Sequence, residues 1–158
     1  MWSVEVLTQR TAAVCWEACA RMMWNWKHSS ESADARRASY LRTAGSFATL
    51  DRGMQEPEMN TFYGRLGMRS NRHAGASALR SALTTSPVVL ILGRGETRHA
   101  CLCIGFTPAS RPAYRIVNPC SSLVIDFGTD SQVCTASGTS DIGARNVESR
   151  MGHWIWFW

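Results

Sequence analysis

The sequence predicts an α+β domain, with an N-terminal helical lobe packed on a C-terminal lobe of antiparallel β-sheet. Two observations carry this. Apolar residues recur at helical spacing as far as the mid-eighties and then, from Pro87, gather into short runs of strand length. The 158 residues, 45% hydrophobic and 18% charged, suffice for one core, and no Pro/Gly/Ser-rich linker divides them. One domain over 1–158 is therefore expected, helical over about 1–85 and sheet over about 86–158.

The first helix is predicted over 14–27, where Val14, Ala18, Met22 and Trp26 recur on one face and Thr11 stands upstream as a cap. A second follows over 31–43, with Ala33, Arg37, Tyr40 and Leu41. A third over 54–66, with Met59, Phe62, Tyr63 and Leu66, stops at Gly67. A fourth, short helix spans about 76–84. The run PVVLILG, β-branched at Val88, Val89 and Ile91, reads as a buried strand. Strands are expected at 99–106, 113–119 and 122–127, the first two joined by the turn TPASRP. The Gly/Ser/Thr-rich stretch 128–150 reads as a loop, and HWIWFW at 153–158 as a packed terminal strand.

Composition excludes some functions. The net charge is +5, but the basic residues are scattered and Arg36-Arg37 is their densest pair. Nucleic-acid binding is not expected, because counterion release needs a clustered footprint. No apolar run is long enough to span a bilayer, and the N-terminus lacks the basic-then-apolar pattern of a signal peptide, so no membrane partner is expected. The strongest motif begins only a few residues in, as in a compact enzyme or a domain of a longer protein. The six cysteines are Cys15, Cys19, Cys101, Cys103, Cys120 and Cys134. CxxxC on a helix face and CxC on a strand face suit neither disulfides nor a structural zinc site. Reduced thiols, a cytosolic place of action, no metal and no cofactor are expected.

Cys15 stands at the predicted start of the first helix, where the helix dipole favours a thiolate. Its base must come from elsewhere in the fold. His28 lies at the far end of the same helix, about 20 Å away. His99 instead opens a strongly apolar strand. If strands 99–106 and 113–118 form a hairpin, Asn118 at the end of the second meets His99 at the start of the first, where it orients the imidazole. The backbone N–H of Cys15 and the side-chain amide of Gln9 are candidate donors to an oxyanion.

The stretch QRTAAVCW, Gln9 to Trp16, resembles the papain-family pattern of Gln, five residues, then Cys-Trp. HACLCIGF resembles that family's His-Ala strand, and RIVNP the stretch bearing its third catalytic residue. The short span from Cys15 to His99 is similar to bacterial papain-like effector proteases and bacteriocin-processing (double-glycine) peptidases. The resemblance runs from about residue 5 to 127 and implies a papain-like fold. It also implies a protein substrate, Cys15 as nucleophile, His99 as general base, Asn118 as orienter and Gln9 as oxyanion donor. Glu17 departs from it, since small residues are frequent after the Trp. Similarity to toxin domains of secreted effectors further implies cleavage of a target in a recipient cell's cytosol, with a cognate immunity protein in the producer. The same triad also serves deamidases, transglutaminases and peptidoglycan amidases. A non-catalytic binding module, using the basic surface or the Trp-rich terminus, is the alternative from another class.

Overall fold

The computed structural model describes residues 1–93, 98–120 and 138–158. Helix α1 (Cys15–Lys27), α2 (Ala33–Ala44) and, after a 3-10 turn, α3 (Glu56–Arg65) come first. Strand β1 (Arg69–Arg72), helix α4 (Ala76–Ala82) and strands β2 (Val88–Leu92), β3 (His99–Thr107) and β4 (Ala113–Asn118) follow. The chain ends in β5 (Gly138–Gly143), α5 (Ala144–Arg150) and β6 (Met151–Phe157). All six strands join one antiparallel sheet in the order β1-β6-β2-β3-β4-β5.

Helices cover both faces of this sheet. Trp16, Met22 and Met23 of α1 and Phe62 and Tyr63 of α3 pack against Val89, Ile91, Leu102, Val117 and Trp156. On the opposite face, Leu79 of α4 and Val147 of α5 close over Val88, Leu90, Cys101, Cys103, Ile116 and Ile155. This double cover explains why VVLIL reads as a continuous apolar run: a strand buried on both faces has no polar side to alternate with. Every residue of β2 is buried.

The α+β expectation holds, with four differences of detail. First, the sheet takes a strand from the helical half. The four residues of β1 are all exposed, so no apolar pattern marked them. They are held by pairing with β6, where Arg69 lies over the Phe157 ring at 5.2 Å and Arg72 over Trp154 at 5.7 Å. Second, residues 138–150 form β5 and α5 rather than a loop. Gly138–Gly143 carries almost no hydrophobic signal, but its ladder to β4 and the two-pronged Arg115–Asp141 ion pair, at 2.8 Å on each prong, hold it in the sheet. Residues 128–137 of that expected loop, the strand expected at 122–127 and Cys134 lie outside the described residues.

Third, Thr11 does not cap α1. Val14 occupies the N-cap without a side-chain hydrogen bond, and the Thr11 hydroxyl donates to Asp51 instead. The first turn of the Cys15 helix therefore has N–H groups that no capping side chain consumes. Fourth, the terminal strand is longer than HWIWFW. It runs through the sheet between β1 and β2, a bulge interrupting its register with β2 between Leu90 and Leu92. That interior position is why this aromatic segment is not an exposed edge.

Candidate active site

The Cys15 side chain, at the start of α1, meets the sheet at the start of β3: the Ala100 backbone N–H donates to Cys15 Sγ at 3.3 Å. Helix α1 is seated there by buried contacts of the neighbouring Trp16. Tyr63 donates its hydroxyl to the Trp16 carbonyl at 2.9 Å, and Trp16 packs edge-on to Phe62 with ring centroids 5.1 Å apart. Trp16 Nε1 also donates to the Arg52 carbonyl at 3.0 Å.

The β3–β4 hairpin sets Leu102 opposite Val117, which carries Asn118 toward the beginning of β3. His99 Nε2 and Asn118 Oδ1 are 2.7 Å apart. The same oxygen accepts the Cys120 backbone N–H at 3.0 Å, and an atom accepting from a backbone amide must be the oxygen of the side-chain amide. Nε2 is therefore the protonated ring nitrogen, and Nδ1 keeps its lone pair. His99 is buried, and it lines with Cys15 a cavity of about 220 Å³. The cavity wall is otherwise mostly small or apolar: Ala12, Ala13, Met54, Met59, Ile91 and Ala100.

The environment acts on Cys15 and His99 in opposite directions. Burial pushes the Cys15 thiol above its ordinary 9.0, while the N–H groups of Ala100, Trp16 and Cys15 itself pull it back in part. Burial also holds the His99 imidazole below its ordinary 6.5, against the hydrogen bond to Asn118. In the free site both groups thus favour their neutral forms. This reverses the lowered thiol value expected from the helix start alone: desolvation outweighs the donors at the helix N-terminus. Cys15 should still alkylate first among the described cysteines, because Cys19, Cys101, Cys103 and Cys120 are buried. Its rate with iodoacetamide is expected to climb toward alkaline pH, with a midpoint above 9.0. A plateau reached already near about pH 4, typical of preformed thiolate–imidazolium pairs, would refute this.

Gln9 lies beside the site but does not line the cavity. Its backbone N–H donates to the Pro119 carbonyl at 2.7 Å, tying the N-terminal segment to the end of β4. Its buried side chain donates through Nε2 to the Thr11 carbonyl at 2.8 Å and leaves Oε1 without a hydrogen-bond partner. The four sequence-derived residues therefore converge on one region, Gln9 less directly than the rest.

Two lining residues escaped the sequence reading. Glu56, at the start of α3, and Arg98, one residue before His99, form an ion pair of 3.1 Å at the cavity, and Arg98 also donates to Gln55 Oε1 at 3.1 Å. Forty-two positions separate the pair, and no local pattern links them. Only the adjacency of Arg98 to His99 could have drawn notice. Among the described residues, no group of three or more His, Cys, Asp or Glu could hold a metal ion.

A family profile described as papain-like cysteine protease AvrRpt2 matches residues 2–122, a span that contains Cys15, His99 and Asn118. The chain belongs to this family of papain-like cysteine proteases. No curated protein matches the sequence of this cysteine protease. Its fold is similar to solved peptidase domains. One is a double glycine motif protease from an AMS/PCAT transporter, in complex with its leader peptide (TM-score 0.61, 14% identity, 98% of this chain and 90% of that one). A second is the peptidase domain of Streptococcus ComA, a bi-functional ABC transporter involved in a quorum sensing pathway (TM-score 0.60, 14% identity, 99% and 97%). A third is the peptidase domain of Streptococcus mutans ComA (TM-score 0.54, 14% identity, 96% of each chain). At this identity the likeness is one of fold: the papain-like arrangement of N-terminal helices and antiparallel sheet. No helix among the described residues is long and apolar enough to cross a membrane.

Proposed function

We propose that this protease cleaves its protein substrate through a thioester on Cys15, with His99 as general base and then general acid, Asn118 as the residue that orients the imidazole, and Gln9 as an oxyanion donor. One observation carries this reading: Asn118 Oδ1 holds the proton on His99 Nε2 and so leaves Nδ1 as the basic nitrogen, next along the chain from the Ala100 N–H that meets Cys15 Sγ.

Nδ1 takes the thiol proton as Sγ attacks the scissile carbonyl carbon. The carbonyl π electrons move to oxygen, and the resulting oxyanion takes a hydrogen bond from the Cys15 N–H at the uncapped start of α1. The second N–H of the Gln9 amide, which Thr11 does not use, is the other donor. When the intermediate collapses, the C–N bond breaks and the imidazolium returns its proton to the leaving amine. Water then enters and loses a proton to Nδ1 as its oxygen attacks the thioester carbonyl; the C–S bond breaks, the imidazolium returns the proton to Sγ, and the acid product leaves as its carboxylate. Since His99 acts as a neutral base and its pKa lies below 6.5, the acid limb of kcat/KM is expected below pH 6.5.

Asn118→Ala is expected to lower kcat/KM about tenfold, near the 1.4 kcal/mol of one buried neutral hydrogen bond, while the melting temperature changes little. Lost activity together with an unfolded chain would assign Asn118 a structural part instead.

The substrate, on this reading, is a protein in the cytosol of a recipient cell, and the producer carries a cognate immunity protein. The resemblance to compact effector domains supports this. The test is terminal-peptide proteomics on recipient-type cells expressing the chain or its Cys15→Ala variant. New protein termini in the first alone would name the target. Identical termini in both would sink the proposal.

A further inference from the structure

Residues 17, 21 and 25 form a stripe of α1 turned away from Cys15, since a helix advances about 100° per residue. Together with α2 and the N-terminal segment, that stripe borders a cavity of about 540 Å³ that has no part in the chemistry. A second hollow of about 470 Å³ shares Glu5, Asn25 and Arg36 with it, so the two make one groove.

The groove carries unmet hydrogen-bonding groups of both kinds. The Glu17 side chain is only 5% exposed; its Oε1 meets the Tyr40 hydroxyl at 3.4 Å and Arg21 Nε at 3.8 Å, but Oε2 is buried with no hydrogen-bond partner. Arg36 Nε is likewise buried and unpartnered, although Nη1 of the same side chain donates to the Glu31 carbonyl. Such groups are costly unless something satisfies them. The N-terminal segment, largely exposed, leaves further backbone groups open. Trp2 N–H bonds to Ile104 and Gln9 N–H to Pro119, but among the described residues 3–8 make no backbone-to-backbone hydrogen bond. Arg10, Arg21, Arg36 and Arg37 line the groove against Glu5, Glu17 and Asp34. Two of those acids are already engaged, Glu17 through Oε1 with Arg21 and Tyr40, and Glu5 accepting from Asn25 at 3.0 Å.

We propose that this groove binds an acidic peptide segment of a partner protein. An occupant must bring N–H donors for Glu17 Oε2 and the carbonyls of the N-terminal segment, a carbonyl for Arg36 Nε, and carboxylates for the arginines. A peptide with Asp or Glu side chains supplies all three. A fully ionised phosphate has no donor for Glu17, and a basic peptide meets four arginines against three acids, two of them engaged. The site lies behind the nucleophile: Glu17 is two residues from Cys15, and Arg10 adjoins Gln9. Binding does not require the catalytic reading to be right, and its test does not use catalysis.

Fluorescence anisotropy of labelled hexaglutamate tests it on the whole chain. Saturable binding that weakens with salt is expected. Arg21→Ala with Arg37→Ala should weaken it at least about tenfold, and Arg69→Ala with Arg72→Ala, the same charge loss on β1, less than about twofold. If the first pair fails to fold, Arg37→Glu, on an exposed side chain, gives the same reading. Absence of saturable binding, equal loss from both arginine pairs, or displacement by tripolyphosphate as effective as by unlabelled hexaglutamate would each overturn the proposal.

Discussion

Cys15→Ala is expected to lower kcat by about 10⁴-fold or more, roughly 5.4 kcal/mol of transition-state stabilisation. The size follows from where the change falls. The thiol supplies the bond that forms, so no other group in the cavity can substitute for it; the hydroxyl-bearing and thiol-bearing side chains among the described residues that line the cavity reduce to Cys15 alone. The fold should persist. The variant loses one sulfur acceptor for the Ala100 N–H, a cost of about 1 kcal/mol. Cys15→Ser restores an acceptor at that place without restoring a good nucleophile, so it should melt like the parent and remain nearly inactive. Measured turnover of a peptide spanning the cellular cleavage site decides the matter. Residual activity within about tenfold of the parent would remove Cys15 from the mechanism.

Trp156→Ala is expected to destabilise the chain by about 3–5 kcal/mol, a large fraction of the roughly 5–15 kcal/mol that holds a domain of this kind together. Trp156 is wholly buried near the C-terminal end of β6. Its ring lies 4.9 Å from that of Tyr63 and its Nε1 donates to Asn60 Oδ1 at 3.3 Å. Loss of the ring opens a cavity between the sheet and α3 and leaves the neighbours of the Trp16 carbonyl, through Tyr63, less firmly placed. Trp154 is the internal control. It stands two residues away on the same strand but is only half-buried, with Arg72 over its ring, so Trp154→Ala should cost less than about 1.5 kcal/mol. Chemical denaturation of both variants checks the pair. Equal, small losses would mean that the terminal strand is dispensable.

The meeting of Cys15, His99 and Asn118 was legible because their signals are local. Cys15 opens a helix whose apolar period is plain, and His99 and Asn118 sit at the two ends of a hairpin with a short turn. Gln9 was legible only through the resemblance of its spacing to Cys15, and the structure turns its amide to Thr11. Strand β1 and residues 138–150 were not legible, because their places are set by neighbours: RSNR is a strand only where β6 offers it a ladder, and GTSDIG only beside β4. The Glu56–Arg98 pair and the Glu17 groove were hidden for the same reason, since each joins residues that are far apart in the chain.

The sequence by itself determined the helix-then-sheet order and which side chains, Cys15, His99 and Asn118, would meet. Both follow from short-range periodicity and residue chemistry, which survive without tertiary contacts. Only the tertiary structure decided that helices cover both faces of the sheet. It also decided that Asn118 leaves the lone pair on Nδ1 of His99, and that the thiol at the start of α1 is pushed up rather than down. The reason is desolvation: how much water each group loses depends on what distant segments pack over it, and at Cys15 that loss outweighs the helix N-terminus that the sequence made visible.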